Sequence, residues 1–213
     1  MIAPEGKIIL IPIIFLVLIG TGAQIYYQIN ILKWVNITMT LLTIFCLYFF
    51  RDPVRSVDGN PENFVSPADG KIIKIVDIVD EEVGKAKQIS IFLSVFNVHS
   101  QRVPYNAKVL KYTYNHGKFF AAFKHKASLD NEHTITLFEA SNGQKFKIKQ
   151  IAGWIARRIV NYMTPEVFVN RGDRLGFIRF GSRVDIIVPE DFEINVSLDD
   201  DVRGNKSVIG SFK

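Results

Sequence analysis

Two long runs without a charged side chain open this chain, residues 8–32 and residues 34–50, parted only by Lys33. A helix rises about 1.5 Å per residue, so the first run is long enough to cross a hydrocarbon core of about 30 Å. The second, at about 25 Å, falls just short and spans with help from Tyr48, Arg51 and an aromatic belt. Pro12 is expected within the first turn or two of its helix, where its cost is lowest. Gly20-Thr21-Gly22-Ala23 imitates a signal-peptide cleavage site, but a second apolar run follows within a dozen residues. That succession predicts a retained helical hairpin over residues 1–50, against the alternative of a buried helical pair in a soluble protein. Lys7 precedes the first run, Lys33 lies between the runs, and Arg51 and Arg55 follow the second. This distribution predicts a chain of the cell membrane with the following domain on the cytoplasmic side.

The remaining residues suffice for one good core. The net charge of +5 suits an anionic partner, and the hairpin makes a phospholipid membrane a better candidate than nucleic acid, for which no motif is present. Cys46, the single cysteine, allows no intramolecular disulfide.

Residues 51–65 read as a turn-rich linker and residues 66–213 as a separate domain. Alternating segments at 71–76, 88–93, 109–114, 134–138 and 145–151 predict strands, while 152–161 fits a strand or a short helix. Short strands parted by Gly, Asn and Pro turns indicate a mainly β, barrel-sandwich-like domain. The turns at 66–70 and 169–176 are similar to hairpin elements of lipoyl- and biotin-carrier domains. Those carriers present a lysine at the tip, whereas the bend here holds Gly181-Ser182, so a carrier role has no support.

Both flanks of Gly181-Ser182 alternate with the period of a strand, so the pair sits where a strand must bend. The serine there is either a turn residue or a nucleophile aimed at the peptide bond before it, whose carbonyl Gly181 leaves unshielded. The four histidines form no metal-binding spacing, so metal catalysis has no motif. His99, in Phe96-Asn97-Val98-His99, and Asp69, in Pro67-Ala68-Asp69-Gly70, stand in distinctive settings. Each alone reads more simply as a structural hydrogen bonder and a turn former.

Six motifs run in order along the chain: Phe49-Phe50-Arg51-Asp52-Pro53, Ser66-Pro67-Ala68-Asp69-Gly70-Lys71, Phe96-Asn97-Val98-His99 continuing to Pro104, Asn131-Glu132-His133-Thr134, Gly153 with Ala156-Arg157-Arg158-Ile159, and Phe180-Gly181-Ser182-Arg183-Val184-Asp185. In this series the sequence resembles the phosphatidylserine decarboxylases of the short, archaeal-type subfamily. The resemblance implies a proenzyme that cuts itself between Gly181 and Ser182 and carries a pyruvoyl group derived from Ser182, with no metal or external cofactor. Chain 1–181 would then remain partnered with chain 182–213. The pyruvoyl ketone would take the amine of a serine-headgroup lipid and act as an electron sink while carbon dioxide leaves. By the same resemblance Ser182, His99 and Asp69 are the catalytic residues, with Asp69 orienting the imidazole. His99 is then the candidate for the acid that protonates the headgroup carbon.

One departure stands out: longer members carry two histidines three apart here, and this chain has His99 and Arg102. A guanidinium is a poor base, so either His99 serves both steps or Arg102 binds phosphate or carboxylate. Arg157 and Arg158 are candidate headgroup ligands, of which a strand would aim only one at the site. Asn131 and Glu132 are candidate pocket residues. Lys118, Phe119, Phe120, Phe123 and Lys124 interleave aromatics with cations and suit contact with an anionic membrane. Ether-linked archaetidylserine shares the reacting headgroup, and hairpins with open strand edges suit a homodimer. Two other readings compete: a non-catalytic, membrane-tethered lipid-binding barrel, and a Ser-His-Asp hydrolase, which lacks its usual G-x-S-x-G elbow.

Overall fold

The computed structural model describes residues 1–57, 59–117, 131–153, 158–179 and 182–213. The chain divides into two units, Met1–Val54 and Arg55–Lys213.

The first unit is an antiparallel pair of helices, α1 (Pro4–Tyr27) and α2 (Asn30–Phe49). Both are long and apolar enough to cross a membrane, with mean hydropathies of 2.5 and 1.6. α2 differs from the expected short span. It begins at Asn30 and takes Lys33 into its first turn, so its 20 residues reach about 30 Å. Pro12 differs too. Helix α1 starts upstream of the charge-free run, with Pro4 in its first turn, which places Pro12 inside the helix beyond its second turn. The helices touch where Asn36 Nδ2 donates to Gln24 Oε1 at 3.1 Å. Gly20 permits that approach, since a Cβ there would lie 2.3 Å from Asn36 Oδ1. At the open end Ala3 N donates to Phe50 O and Asp52 N to Met1 O, each at 2.8 Å.

The second unit is built almost entirely of strands. In chain order they are β1 (Asn63–Val65), β2 (Gly70–Asp80), β3 (Gly84–Leu93), β4 (Ser100–Arg102), β5 (Ala107–Asn115), β6 (His133–Ala140) and β7 (Lys145–Ala152). There follow β8 (Ile159–Asn161), β9 (Phe168–Val169), β10 (Arg174–Ile178), β11 (Ser182–Pro189), β12 (Glu193–Ile194), β13 (Asp201–Val202) and β14 (Val208–Ser211). The main sheet is curled and has the order β13-β2-β3-β11-β7-β6-β5-β9. Two three-stranded sheets, β1-β14-β12 and β4-β10-β8, complete the unit. All five expected strands are present, each longer than expected. Segment 152–161 resolves into the end of β7 and the short β8, with residues 154–157 outside the described set.

Ile89, Ile91 and Leu93 of β3, Phe146 and Ile148 of β7, and Val184, Ile186 and Val188 of β11 face one core. Full burial of each such side chain contributes about 1.5–3 kcal/mol. Phe64 anchors that core edge-on against Phe146, Phe192 and Phe212, at centroid distances of 5.2, 5.4 and 5.7 Å. The alternation around the bend does not translate into an exposed face. Arg183 and Asp185, on the side of β11 opposite the core, are 2% and 1% exposed. Both faces of this central strand are therefore excluded from water.

Farther along that polar face, Lys147 Nζ meets Asp80 Oδ1 at 2.6 Å and also contacts Glu82, which Lys111 joins at 3.2 Å. Burial pushes the Asp80 carboxyl up, but the hydrogen bonds from Lys147 and neighbouring backbone amides more than reverse this and hold it below its usual range. Lys147 likewise lowers Glu82. Carboxylates lowered by folding add stability above their unfolded pKa of about 4 and lose it as the pH falls. Lys147→Met should therefore lower the thermal midpoint at pH 7, and the gap to the unaltered chain should close toward pH 3. Thermal unfolding across that pH series checks this.

Candidate active site

Ser182 begins β11, opposite Leu93 of β3 and Ala152 of β7. It shares the core face with Val184 and is fully buried. Its Oγ has no hydrogen-bond partner among the described residues. Interiors rarely leave a hydroxyl in that condition, because its desolvation goes uncompensated.

His99, also fully buried, precedes β4 and lies against the end of β10, where Ile178 N donates to His99 O at 3.3 Å. Its Nδ1 stands 3.0 Å from Asn97 O. A carbonyl only accepts, so this contact assigns the proton to Nδ1 and leaves the lone pair on Nε2. The carbonyl is itself held in place: Asn97 Oδ1 accepts from Ser94 N at 2.9 Å and from Ser94 Oγ at 2.7 Å. Gln101 Nε2 donates to His99 O at 2.7 Å, and Gln150 Nε2 of β7 donates to Gln101 Oε1 at 3.0 Å. The histidine is thus tied to the strand that flanks Ser182.

Asn131 reaches the same rim of the sheet, donating from Nδ2 to Ala152 O at 2.7 Å. Glu132 is buried, and its Oε1 accepts from Tyr114 Oη at 2.7 Å and from Ile159 N at 3.2 Å. Burial and the Glu132 hydrogen bond push the Tyr114 phenol up to about 12, so it stays protonated at neutral pH. Half-buried His133, whose Nδ1 faces Asn131 O at 2.7 Å, is lowered by burial. Arg158 is exposed, and its charge acts on Tyr114.

Asp69 occupies a second cluster. Arg55 Nη2 donates to its Oδ2 at 2.8 Å, Arg55 Nη1 contacts Oδ1, and Gly204 N donates to Oδ1 at 2.8 Å. No hydrogen bond joins Asp69 to His99 among the described residues. The clusters are linked by backbone, since Arg102 N at the end of β4 donates to Pro67 O at 2.9 Å. Gly70 lets this turn press on β3, since a Cβ there would lie 2.2 Å from Phe92 O. Arg102 itself is half-buried opposite Arg174. Gly181, Arg157, Lys118, Phe119, Phe120, Phe123 and Lys124 lie outside the described residues.

Sequence reading missed several partners. Arg55 counted only as a flanking charge, yet it grips Asp69 fourteen residues on. Asn97 carried a usable signal, the Asn-x-His spacing that aims a carbonyl at Nδ1. Tyr114 carried none, because strand register alone brings its partner near, and the motif that holds Arg183 and Asp185 gave no sign of Ser90 and Gln88 across the sheet. Arg55→Met and Asp69→Asn should each lower stability and combine non-additively, with a coupling of about 1–3 kcal/mol. Unfolding of the two single variants and the double variant measures it.

Relatives were found over nearly the whole chain. A family model described as phosphatidylserine decarboxylase matches residues 42–210. A phosphatidylserine decarboxylase proenzyme of Amoebophilus asiaticus is 40% identical over 210 residues, covering 96% of this chain and 93% of the relative. One from Desulfotalea psychrophila is 45% identical over 172 residues, 80% of each chain. One from Neisseria gonorrhoeae is 41% identical over 195 residues, covering 90% of this chain and 75% of the relative. With matches of that extent, the family model taking in Ser182, His99 and Asp69, the chain belongs to the phosphatidylserine decarboxylase family.

Proposed function

We propose that this chain is a self-processing, pyruvoyl-dependent decarboxylase that converts phosphatidylserine to phosphatidylethanolamine with release of carbon dioxide. The observation that carries the reading is the buried Ser182 Oγ, which has no hydrogen-bond partner among the described residues. A hydroxyl in that state is available for chemistry, and Leu93 and Ala152 leave it in apolar surroundings suited to a small keto group. The relatives' names favour phosphatidylserine over its ether-linked counterpart as substrate.

Self-cleavage follows from the chain's own groups. His99 Nε2 takes the Ser182 hydroxyl proton, and Oγ attacks the Gly181 carbonyl, replacing the peptide bond by an ester. Loss of the Ser182 α-proton expels the Gly181 carboxylate and leaves a dehydroalanine. One water then releases ammonia and leaves a pyruvoyl end on the chain of residues 182–213. That group supplies a carbonyl that serves as an electron sink for the bond to carbon dioxide. His99 Nε2 delivers the proton to the headgroup carbon afterwards. Arg102, Arg157 and Arg158 are the proposed phosphate or carboxylate ligands, and Asn131 and Glu132 shape the pocket through Ala152 and Tyr114.

Asp69 takes a positioning role in this scheme. With Arg55 it holds the Gly204 amide, and so fastens the small chain to the large one. The small chain is also held by pairing: β11 lies between β3 and β7, β13 pairs with β2, and β14 with β1. Helices α1 and α2 anchor the protein in the membrane, with residues 66–213 as the decarboxylase domain on the cytoplasmic side. The lysines and phenylalanines at 118–124 contact the lipid surface, a role supported by their composition.

Ser182→Ala should remain a single chain and release no carbon dioxide from phosphatidylserine vesicles. His99→Ala should slow self-cleavage by about 10²–10⁴-fold, the usual worth of a positioned base. Electrophoresis of freshly made protein over time reads cleavage in both variants, and captured carbon dioxide reads the decarboxylation. A Ser182→Ala chain that still decarboxylates would overturn the proposal.

A further inference from the structure

The side of β11 away from the core carries a buried ion pair that neither the self-cleavage chemistry nor the headgroup uses. Arg183 Nε donates to Asp185 Oδ1 at 2.5 Å and Nη2 to Oδ2 at 3.0 Å. Both residues reach across to β3: Arg183 Nη2 donates to Ser90 Oγ at 2.9 Å, and Gln88 Nε2 donates to Asp185 Oδ2 at 3.0 Å. Gln88 Nε2 also donates to Ser90 Oγ at 3.1 Å. On the other side Lys149 of β7 stands in register with Asp185, and burial lowers its pKa.

Such a pair is costly to bury, and apolar residues of similar size would fill the space at equal or better stability. Its value lies in what the opposite face lacks. The core-facing residues after Ser182 are Val184, Ile186 and Val188, and they meet Ile91, Ile89 and their neighbours on β3. A slip of one residue would turn Ser182 away from the core, but a slip of two that carries Val184 into the place of Ser182 would set Ile186 and Val188 in the places of Val184 and Ile186, β-branched aliphatics again. Over those positions the apolar face therefore tolerates a two-residue slip in that direction. The polar face does not, because the native register sets Arg183 opposite Phe92 and Asp185 opposite Ser90, and that slip would carry both side chains two residues farther from Ser90 and Gln88.

From this geometry we infer that Arg183 and Asp185 are positioning residues that pin the register of β11. They hold Ser182 in place for self-cleavage and keep the new chain end there once the covalent link to β10 is cut. This inference rests on the reading of Gly181-Ser182 as a self-cleavage site. A displacement of about 1 Å at a reacting group costs on the order of 100-fold in rate.

The test is the apolar double variant Arg183→Met/Asp185→Leu in the full chain, beside Arg183→Lys, which keeps the charge but loses the two-pronged contact. The thermal midpoint of the uncut protein and the rate of self-cleavage are measured together. A thermal midpoint unchanged or raised, with cleavage slowed about 100-fold, is expected for the double variant. A pair that served stability alone would lower the midpoint without slowing cleavage in the molecules that remain folded. Cleavage at the native rate in either folded variant overturns the inference, as does failure of both variants to fold. An unaltered chain that stays uncut overturns the self-cleavage reading along with it.

Discussion

Strand β11 exchanges its backbone hydrogen bonds with β3 along one edge and β7 along the other, over nearly its whole length. The rest of the second unit is arranged around that double pairing. It sets Ser182 level with Leu93 and Ala152, brings Asn131 to the same rim through the Ala152 carbonyl, and buries both faces of the strand. A central strand cannot leave a sheet without exposing two rows of backbone donors and acceptors. The proposed cut before Ser182 would therefore free a chain end while leaving the pairing of β11 in place.

The polar groups around this strand differ in how they are satisfied. Arg183, Asp185, Gln88, Ser90, Gln101 and Gln150 are buried and engaged in hydrogen bonds. Ser182 Oγ, one residue from Arg183, has no partner among the described residues. In low-dielectric surroundings an unmade hydrogen bond costs more than a made one returns. The contrast sets the paired neighbours of β11 apart from the Ser182 hydroxyl, which shares its unpartnered state among the described residues with Ser100 Oγ of β4. His99 fits the same division, since the Asn97 carbonyl settles its tautomer and leaves Nε2 as the basic atom.

Much of the fold was legible in the residues. Charge-free runs marked the two helices, and period-two alternation marked β2, β3, β5, β6 and β7. What periodicity does not show is the second buried face of β11, because the partners of Arg183 and Asp185, Ser90 and Gln88, lie more than ninety residues away. The misplacement of Pro12 has a similar cause: the charge-free run begins at Ile8, whereas the helix begins at Pro4. Ser182, His99 and Asp69 stood out through their motifs, but Asp69's engagement with Arg55 and Gly204 could not be read from spacing. Gly204 is 135 residues distant and contributes backbone atoms alone, its N–H to Asp69 and its carbonyl to Arg55.

The central claim is that Ser182 ceases to be a serine. High-resolution mass measurement of the 32-residue chain 182–213 tests it most directly. Self-cleavage as proposed would give a chain lighter by one ammonia than the same segment beginning with serine, and a ketone at its first residue that reacts with a hydrazine probe. A segment that begins with an intact serine, or a full-length chain that decarboxylates uncut, would contradict it.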